Sequence, residues 1–259
     1  MSAFCNQAIE LTGLAGDRAS SVHRLDPRAK LVGFLGITLV AVSTPLAAWP
    51  AWVACALALA AVATVARVGP GVIWRRARLI LPPVLFVAVF LPFVRGGESV
   101  DVGPLSLSVA GLETLLSVSA KATIGVVGAV LLGATTTFPS VLQALESLRV
   151  PRLFTLIAAF TYRYLFVVLE EVQRMRAALA SRGYRPRHAL QAAAIGRVAT
   201  ALFLRSYARG ERVYLAMLAR GYSGTMHRLE PLAFRGADAA FLAALAAVLV
   251  PVRIVAGLS

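Results

Sequence analysis

Residues 31–48 read LVGFLGITLVAVSTPLAA, a run without a single charged side chain. An uncharged apolar run of this length is typical of a helix that crosses a lipid bilayer, because about 20 apolar residues span the hydrocarbon core. Trp49 and Trp52 follow directly, and tryptophan is enriched where a membrane meets water. The whole chain of 259 residues is 59% hydrophobic, with a mean hydropathy of +0.77. The sequence therefore predicts a membrane protein.

Further apolar runs predict an all-α, polytopic fold with about five transmembrane helices. The five predicted spans are residues 31–48, 51–66, 80–94, 122–137 and 237–252. Three prolines in the third run predict a kinked helix there. Residues 95–101 suit an outer loop. Residues 105–119 are expected to form a separate interfacial or tilted helix, and Lys121 is expected to reach toward the lipid headgroups.

The charge pattern predicts the orientation in the membrane. A net charge of +14 would suggest nucleic-acid binding on a polar globular surface. Here the basic residues lie between apolar runs, as the positive-inside rule describes, so no nucleic-acid partner is expected. Residues 6–30 are too polar for a signal peptide. The prediction is a multi-pass membrane protein with a cytoplasmic N-terminus.

The region of residues 139–236 differs from the predicted spans. Arg163 lies at the centre of the apolar run 153–169, where a charged residue would cost a crossing helix at least ~2.5–3.5 kcal/mol. Residues 174–235 contain twelve arginines and only two acidic residues. We therefore expect two long amphipathic helices, at residues 152–182 and 190–220, on the cytoplasmic side of the membrane.

These patterns divide the chain into four predicted segments. A cytoplasmic N-terminal segment precedes a bundle of four spans, which is followed by a cytoplasmic helical region and a last span with the C-terminus. The segments are residues 1–30, 31–138, 139–236 and 237–259.

The two long helices end with the same motif. Residues 174–184 and residues 212–222 both read Arg-x-x-x-Ala-x-x-x-Arg-Gly-Tyr, at an offset of 38. Steps of four place the Arg, Ala and Arg side chains on one helix face. Gly183 and Gly221 are expected to end each helix in the left-handed conformation. Ordinary helix capping by Arg and Gly is one explanation. Two copies in register favour another, a pair of basic ends presented to a partner protein.

These residues resemble the T components of energy-coupling factor transporters, and in particular their cobalt branch, CbiQ. Residues 23–31, HRLDPRAKL, are similar to the opening signature of that family. Residues 161–176 and 211–224 resemble the cobalt branch. The paired Ala-Arg-Gly motifs of the family match two tripeptides here: Ser181-Arg182-Gly183 and Ala219-Arg220-Gly221. Ser181 departs from the usual Ala, but it is small enough to pack in the same way.

The resemblance implies the transmembrane coupling subunit of an ATP-driven importer for cobalt(2+), in support of cobalamin biosynthesis. It implies that Arg182 and Arg220, with the small residues beside them, dock into two ATPase subunits. The implied partners are a CbiO-like dimer of ATP-binding subunits, a CbiM-like substrate-capture membrane subunit and a small CbiN-like subunit. A T component for nickel or a vitamin is the alternative within this class, and a standalone channel or secondary transporter is the alternative outside it.

No catalytic, cofactor or metal site is expected in this chain. A Walker A loop needs Gly-Lys followed by Ser or Thr, and neither Lys30 nor Lys121, the only two lysines, fits that motif. Two cysteines and three histidines are spaced too far apart for a metal site. The apolar runs also lack the Ser–His pair or paired acids of an intramembrane enzyme. Energy is therefore expected to come from a partner.

Overall fold

The computed structural model describes ten stretches of the chain: residues 20, 22–45, 48–75, 77–78, 82, 86, 99–102, 105–184, 192–224 and 233–258. The helices are α1 (Pro27–Ser43), α2 (Trp49–Val65), α3 (Val109–Thr135), α4 (Phe138–Ser147), α5 (Arg152–Ser181), α6 (Ala192–Ala219) and α7 (Gly236–Leu258). Strands β1 (Ser99–Val102) and β2 (Leu105–Ser108) form one antiparallel hairpin, with Ser99 opposite Ser108.

The predicted helical, polytopic membrane fold is confirmed. Within the part of the chain that the structure describes, three helical segments are long and apolar enough to cross a membrane, and α2 is a shorter apolar helix. The three segments are Glu113–Thr135, Arg152–Ser181 and Gly236–Ile254. The helices expose many large apolar side chains, among them Leu39 and Leu57, as expected of surfaces that face lipid.

The chain divides into two compact units. The first unit comprises Met1–Val150 and Leu232–Ser259, and it contains α1 to α4 and α7. The second unit is Pro151–Pro231, with α5 and α6. Helix α4 belongs to the first unit and packs against α1. The boundaries of the four predicted segments stay predictions.

Helix α1 is the centre of the first unit. It packs against α3, α4 and α7, while α2 packs against α3 and α7. Gly33 permits the close approach of α1 to α7, because a Cβ atom built there would lie 2.7 Å from Leu245 Cδ1. Small residues of this kind let membrane helices pack backbone to side chain. The buried core includes Phe34, Ile37, Cys55, Leu59, Ile124, Leu131 and Leu245.

The first helix begins and ends earlier than the predicted span. Asp26 is the N-cap, and its carboxylate accepts a hydrogen bond from Arg28 N–H at 2.9 Å. Pro27 occupies the first helical position, which suits its fixed φ. The helix ends at Ser43, two residues before Pro45. Local capping residues therefore set the helix bounds, whereas hydropathy alone placed the run at residues 31–48.

The predicted break before residue 122 is wrong. Helix α3 is continuous over Val109–Thr135, so Lys121 lies near its middle. Its ammonium group is 5.9 Å from the centroid of the Trp52 ring. No proline interrupts the segment, and the hydroxyl of Thr123 bonds to the carbonyl of Ser119 in the same helix at 2.7 Å. The hydroxyl of Thr123 is therefore satisfied within the helix, and the polar residues here do not interrupt α3.

Two predictions fall on or near parts of the chain that are not described. The predicted third span, residues 80–94, lies outside the described residues except for positions 82 and 86, which are helical. Of the predicted outer loop at residues 95–101, the last three residues belong to β1.

The second unit contains the two predicted long helices, and both are confirmed as helices. Helix α5 has 30 residues and α6 has 28. At 1.5 Å per residue, α5 is about 45 Å long. By length and composition α5 would also qualify as a membrane span, although Arg163 is exposed near its middle. Its cytoplasmic position stays a prediction.

Candidate functional site

The two predicted basic helix ends have the same backbone structure. At the end of α5, Gly183 has φ +72° and Tyr184 N–H donates to the carbonyl of Leu179, with 3.1 Å between N and O. At the end of α6, Gly221 has φ +80°. A bond that reaches back five residues across a left-handed glycine is the Schellman arrangement, which satisfies carbonyl groups at the helix terminus.

The end of α6 repeats this bond at the equivalent positions. Tyr222 N–H donates to the carbonyl of Met217 at 3.0 Å, as Tyr184 does to Leu179. The predicted left-handed glycines are therefore confirmed at both ends. Each of them turns the chain sharply away from its helix directly after an arginine.

The arginines at these ends are exposed. The side chains of Arg182 and Arg220 both lie on the surface, and no ion pair among the described residues involves either of them. Ser181 is also exposed, and its hydroxyl donates to the carbonyl of Ala178 at 3.0 Å. The serine that replaces alanine in this motif therefore has its donor satisfied within its own helix.

Helices α5 and α6 contact each other near their midpoints. Val167, Val168 and Glu171 of α5 face Arg205, Ser206 and Arg209 of α6 across a small gap. The Glu171 carboxylate accepts hydrogen bonds from Arg205 of α6 and from Arg174 of α5. The sequence alone did not identify this contact. The one signal that the sequence offered for this contact was Glu171, an acidic residue at the edge of an arginine-rich segment.

The charge of Glu171 is stabilised by these arginines. The hydrogen bond from Arg205, followed by that from Arg174, lowers the pKa of Glu171 below its usual value. Glu171 therefore stays ionised at neutral pH and forms a charge-assisted bond between the helices. Arg174 also bonds to Glu170 at 3.1 Å within α5. These groups connect α5 and α6 at the place where the two helices meet.

The contact and the two ends follow the same internal repeat. The offset of 38 that relates the ends also relates Val167 to Arg205 and Glu171 to Arg209. Arg182 follows Glu171 by eleven residues, and Arg220 follows Arg209 by the same number. At 1.5 Å per residue, each arginine lies about 16 Å beyond the contact along its helix. The second unit thus has two equivalent helix ends, each at the same distance from the contact between α5 and α6.

The described residues contain no group of three His, Cys, Asp or Glu side chains that could hold a metal ion. The geometry of the second unit suits contact with another macromolecule, because its distinctive groups are exposed arginines at hydrogen-bonded helix ends. Guanidinium groups of this kind form bidentate bonds with carboxylates of a partner.

Comparison with known proteins identifies the family of the chain. The model of the CbiQ family, described as cobalt transport protein, matches residues 18–231. A protein of Methanocorpusculum labreanum named as a fused cobalt transport protein, CbiMQ, is 26% identical over 80% of this chain and 36% of its own length. An uncharacterized protein of Methanocaldococcus jannaschii is 30% identical over 61% of this chain and 56% of its own.

A second uncharacterized protein of Methanocaldococcus jannaschii is 27% identical over 47% of this chain and 46% of its own length. The chain thus spans between 36% and 56% of the length of these curated relatives. The family match covers both basic helix ends and most of the described residues. The chain belongs to the CbiQ family of cobalt transport proteins.

Proposed function

We propose that this chain is the non-catalytic coupling subunit of an ATP-driven cobalt importer. It transmits movement of two ATPase subunits to a membrane subunit that captures the substrate. The observation that carries this proposal is the pair of matching helix ends, each with an exposed arginine, at equal distances from one junction of α5 and α6. Two equivalent ends suit a dimer of ATPases with two equivalent grooves.

The chemistry of the ends supports a protein partner. Arg182 and Arg220 offer planar, permanently charged donor groups, and the small residues beside them, Ser181 and Ala219, permit close approach. Gly183 and Gly221 complete each docking end by turning the chain away. In this proposal Ser181, Arg182, Gly183 and Ala219, Arg220, Gly221 enter the ATPase grooves. A CbiO-like dimer fits this role.

The family supports cobalt as the cargo, since its description is cobalt transport protein. The relative named as a fused CbiMQ protein supports a CbiM-like membrane partner, because fusion holds two chains together permanently. A small CbiN-like subunit is a further partner in this proposal. Nickel or a vitamin remains the alternative cargo. No cofactor is required of this chain, because the ATPases supply the energy.

In this proposal the chain lies in a bacterial inner membrane. The charge distribution supports a cytoplasmic position for residues 139–236, with the N-terminus on the same side. Arginine is in large excess over acidic residues in α5, α6 and the segments that follow them. Positive residues are retained on the cytoplasmic side of membrane proteins. An impermeant thiol reagent applied to intact cells should therefore leave a single cysteine at position 188 unlabelled.

Substitution of the two arginines tests the proposed docking. Truncating an arginine whose partner stays buried should cost about 2–5 kcal/mol of binding. If the arginines only stabilise helix ends, about 0.3–1 kcal/mol is expected instead. We expect Arg182→Ala with Arg220→Ala to abolish copurification of the ATPase subunits and cobalt uptake. Lysine at both positions should restore binding only in part, because it lacks the guanidinium fork.

Exposed arginines elsewhere on the same helices provide matched controls. Arg176→Ala on α5 and Arg197→Ala on α6 remove the same group from other exposed positions. Both should leave assembly unchanged. Wild-type assembly and uptake in the double variant would contradict the proposal and leave only helix capping. Cobalt uptake by the purified chain without any ATPase would favour a standalone channel or secondary transporter.

A further inference from the structure

A buried polar cluster lies in the first unit, away from the helix ends described above. Lys30, Asp26 and Asp238 are 1%, 6% and 2% exposed. Two of these residues belong to the motif HRLDPRAKL at residues 23–31, which docking of the ATPases does not explain. Charged groups are rarely buried unless they are paired or hydrogen-bonded, so the function of this cluster needs an explanation.

The carboxylate of Asp238 joins the first turns of two helices. Its Oδ1 accepts a hydrogen bond from Asp26 N–H at 2.6 Å, and its Oδ2 accepts one from Arg235 N–H at 2.7 Å. Asp26 is the N-cap of α1, and Arg235 directly precedes α7. Helix N-termini carry partial positive charge, which favours a carboxylate at this position. One side chain therefore links residues that are 212 positions apart.

The ammonium group of Lys30 adds a third helix to this link. Its Nζ donates to the carbonyl of His23 and to the carbonyl of Thr135, each at 3.1 Å. Thr135 is the last residue of α3. Burial disfavours the charged form of Lys30, and the neighbouring acidic groups, Asp238 and Asp26, offset this effect only in part. The cluster thus holds the start of α1, the end of α3 and the start of α7 together.

The position of the cluster in the chain gives it a role beyond packing. After α3 the chain continues through α4, which packs against α1, and then enters the second unit at Pro151. It returns to the first unit at Leu232, and Asp238 follows six residues later. The outgoing connection is therefore attached to α1 through Thr135, sixteen residues before Pro151, and through the packing of α4. The returning connection is attached to α1 through Asp238.

We infer that Lys30 and Asp238 are positioning residues that fix both connections to α1, so that movement of the second unit is passed into the bundle. This inference rests on the proposed coupling function. A buried charge cluster adds little stability compared with apolar residues of the same size, but it permits few arrangements of its members. A joint that must transmit movement needs a single arrangement more than it needs added stability. If the connections were loosely attached, a movement of the second unit would displace only the connections and would not reach α3 and α7.

Hydrogen exchange of the purified full-length chain tests, without any partner protein, whether the cluster of Lys30, Asp26 and Asp238 holds the helices together. This cluster is called the joint below. The variants are Lys30→Met and Asp238→Asn, and Lys121→Met is the control because it removes the only other lysine. We expect peptides covering residues 22–30 and 233–240 to exchange at least about ten-fold faster in the two variants, while α2 is unchanged. The control should exchange like the wild type. Unchanged exchange in both variants would overturn the inference.

The ratio of cobalt transported to ATP hydrolysed tests the transmission in the assembled transporter. A variant that only lowers the amount of folded complex reduces both quantities together, so the ratio stays constant. We expect Asp238→Asn to lower the ratio at least about five-fold, with ATPase subunits still bound. The wild-type ratio in a variant with faster exchange would overturn the inference. A wild-type complex that does not couple ATP to uptake would instead refute the proposed function.

If the variants fail to insert in the membrane, hydrogen exchange of the wild-type transporter, assembled with its ATPases, tests the same inference. If the joint is rigid, the peptides at residues 22–30 and 233–240 should keep the same protection with and without ATP. Protection that is lost on addition of ATP would show that the joint opens during the cycle, and it would overturn the inference.

Discussion

Replacement of Lys30 by methionine should strongly destabilise the first unit. Methionine is similar in volume to lysine and one heavy atom shorter, but it removes the charge and both hydrogen bonds. The carbonyls of His23 and Thr135 would then lack this donor, and the buried carboxylates of Asp26 and Asp238 would lose their cation. Removal of one member of a buried charged group costs about 3–5 kcal/mol. Each unsatisfied carbonyl would cost about 1–3 kcal/mol. This cost is already included in the total of about 3–5 kcal/mol.

The change should be visible in thermal unfolding of the purified chain in detergent, followed by the loss of helical circular dichroism. One kcal/mol shifts the midpoint of a chain of this size by about 2–4 °C, so a decrease of about 6–20 °C is expected. Lys121→Met is the matched control. It removes an ammonium that lies over the Trp52 ring, an interaction of about 0.5–1 kcal/mol, so its midpoint should fall by less than about 4 °C.

A second substitution tests whether the charges act together. Asp238→Asn in the Lys30→Met background removes one of the carboxylates that the first change left uncompensated. The combined loss of stability should be smaller than the sum of the two single losses by about 0.5–3 kcal/mol. Strict additivity would indicate that the groups do not interact. A midpoint for Lys30→Met no lower than that of Lys121→Met would refute the reasoning about the cluster.

Three further predictions follow from local geometry. Gly33→Ala should lower the stability of the chain by about 1–3 kcal/mol in the same unfolding assay, because its Cβ would lie 2.7 Å from Leu245 Cδ1. Gly36→Ala, whose nearest neighbour would be at 3.8 Å, should be neutral or stabilising. Gly221→Ala should cost about 1 kcal/mol and weaken ATPase binding, since φ +80° suits glycine, whereas Gly196→Ala should do neither. Because the pKa of Glu171 is lowered in the fold, its contribution to the α5–α6 contact should be complete above pH 4.5 and lost as the pH falls through the lowered pKa. Distances between spin labels on the two helices should increase in that range, and Glu171→Gln should remove the pH dependence.

Features that depend on neighbouring residues in the chain could be predicted from the sequence. The apolar runs indicated the membrane fold, and the pattern of arginines with a following glycine indicated where α5 and α6 end. Gly183 and Gly221 have the expected left-handed φ because helix termination is a local event, set by the few residues around the cap. Hydropathy was less reliable for helix bounds, since it does not distinguish Lys121 at a helix end from Lys121 within a continuous α3.

Contacts between distant residues required the folded chain. The sequence contained Lys30 and Asp238 but gave no sign that they share one buried cluster, and it contained Glu171 and Arg205 without showing that they join α5 to α6. Such pairs form only when packing of whole helices brings their side chains together. The hydrophobic effect that drives this packing depends on buried area and not on direction, so hydropathy indicates which residues are buried but not which of them meet.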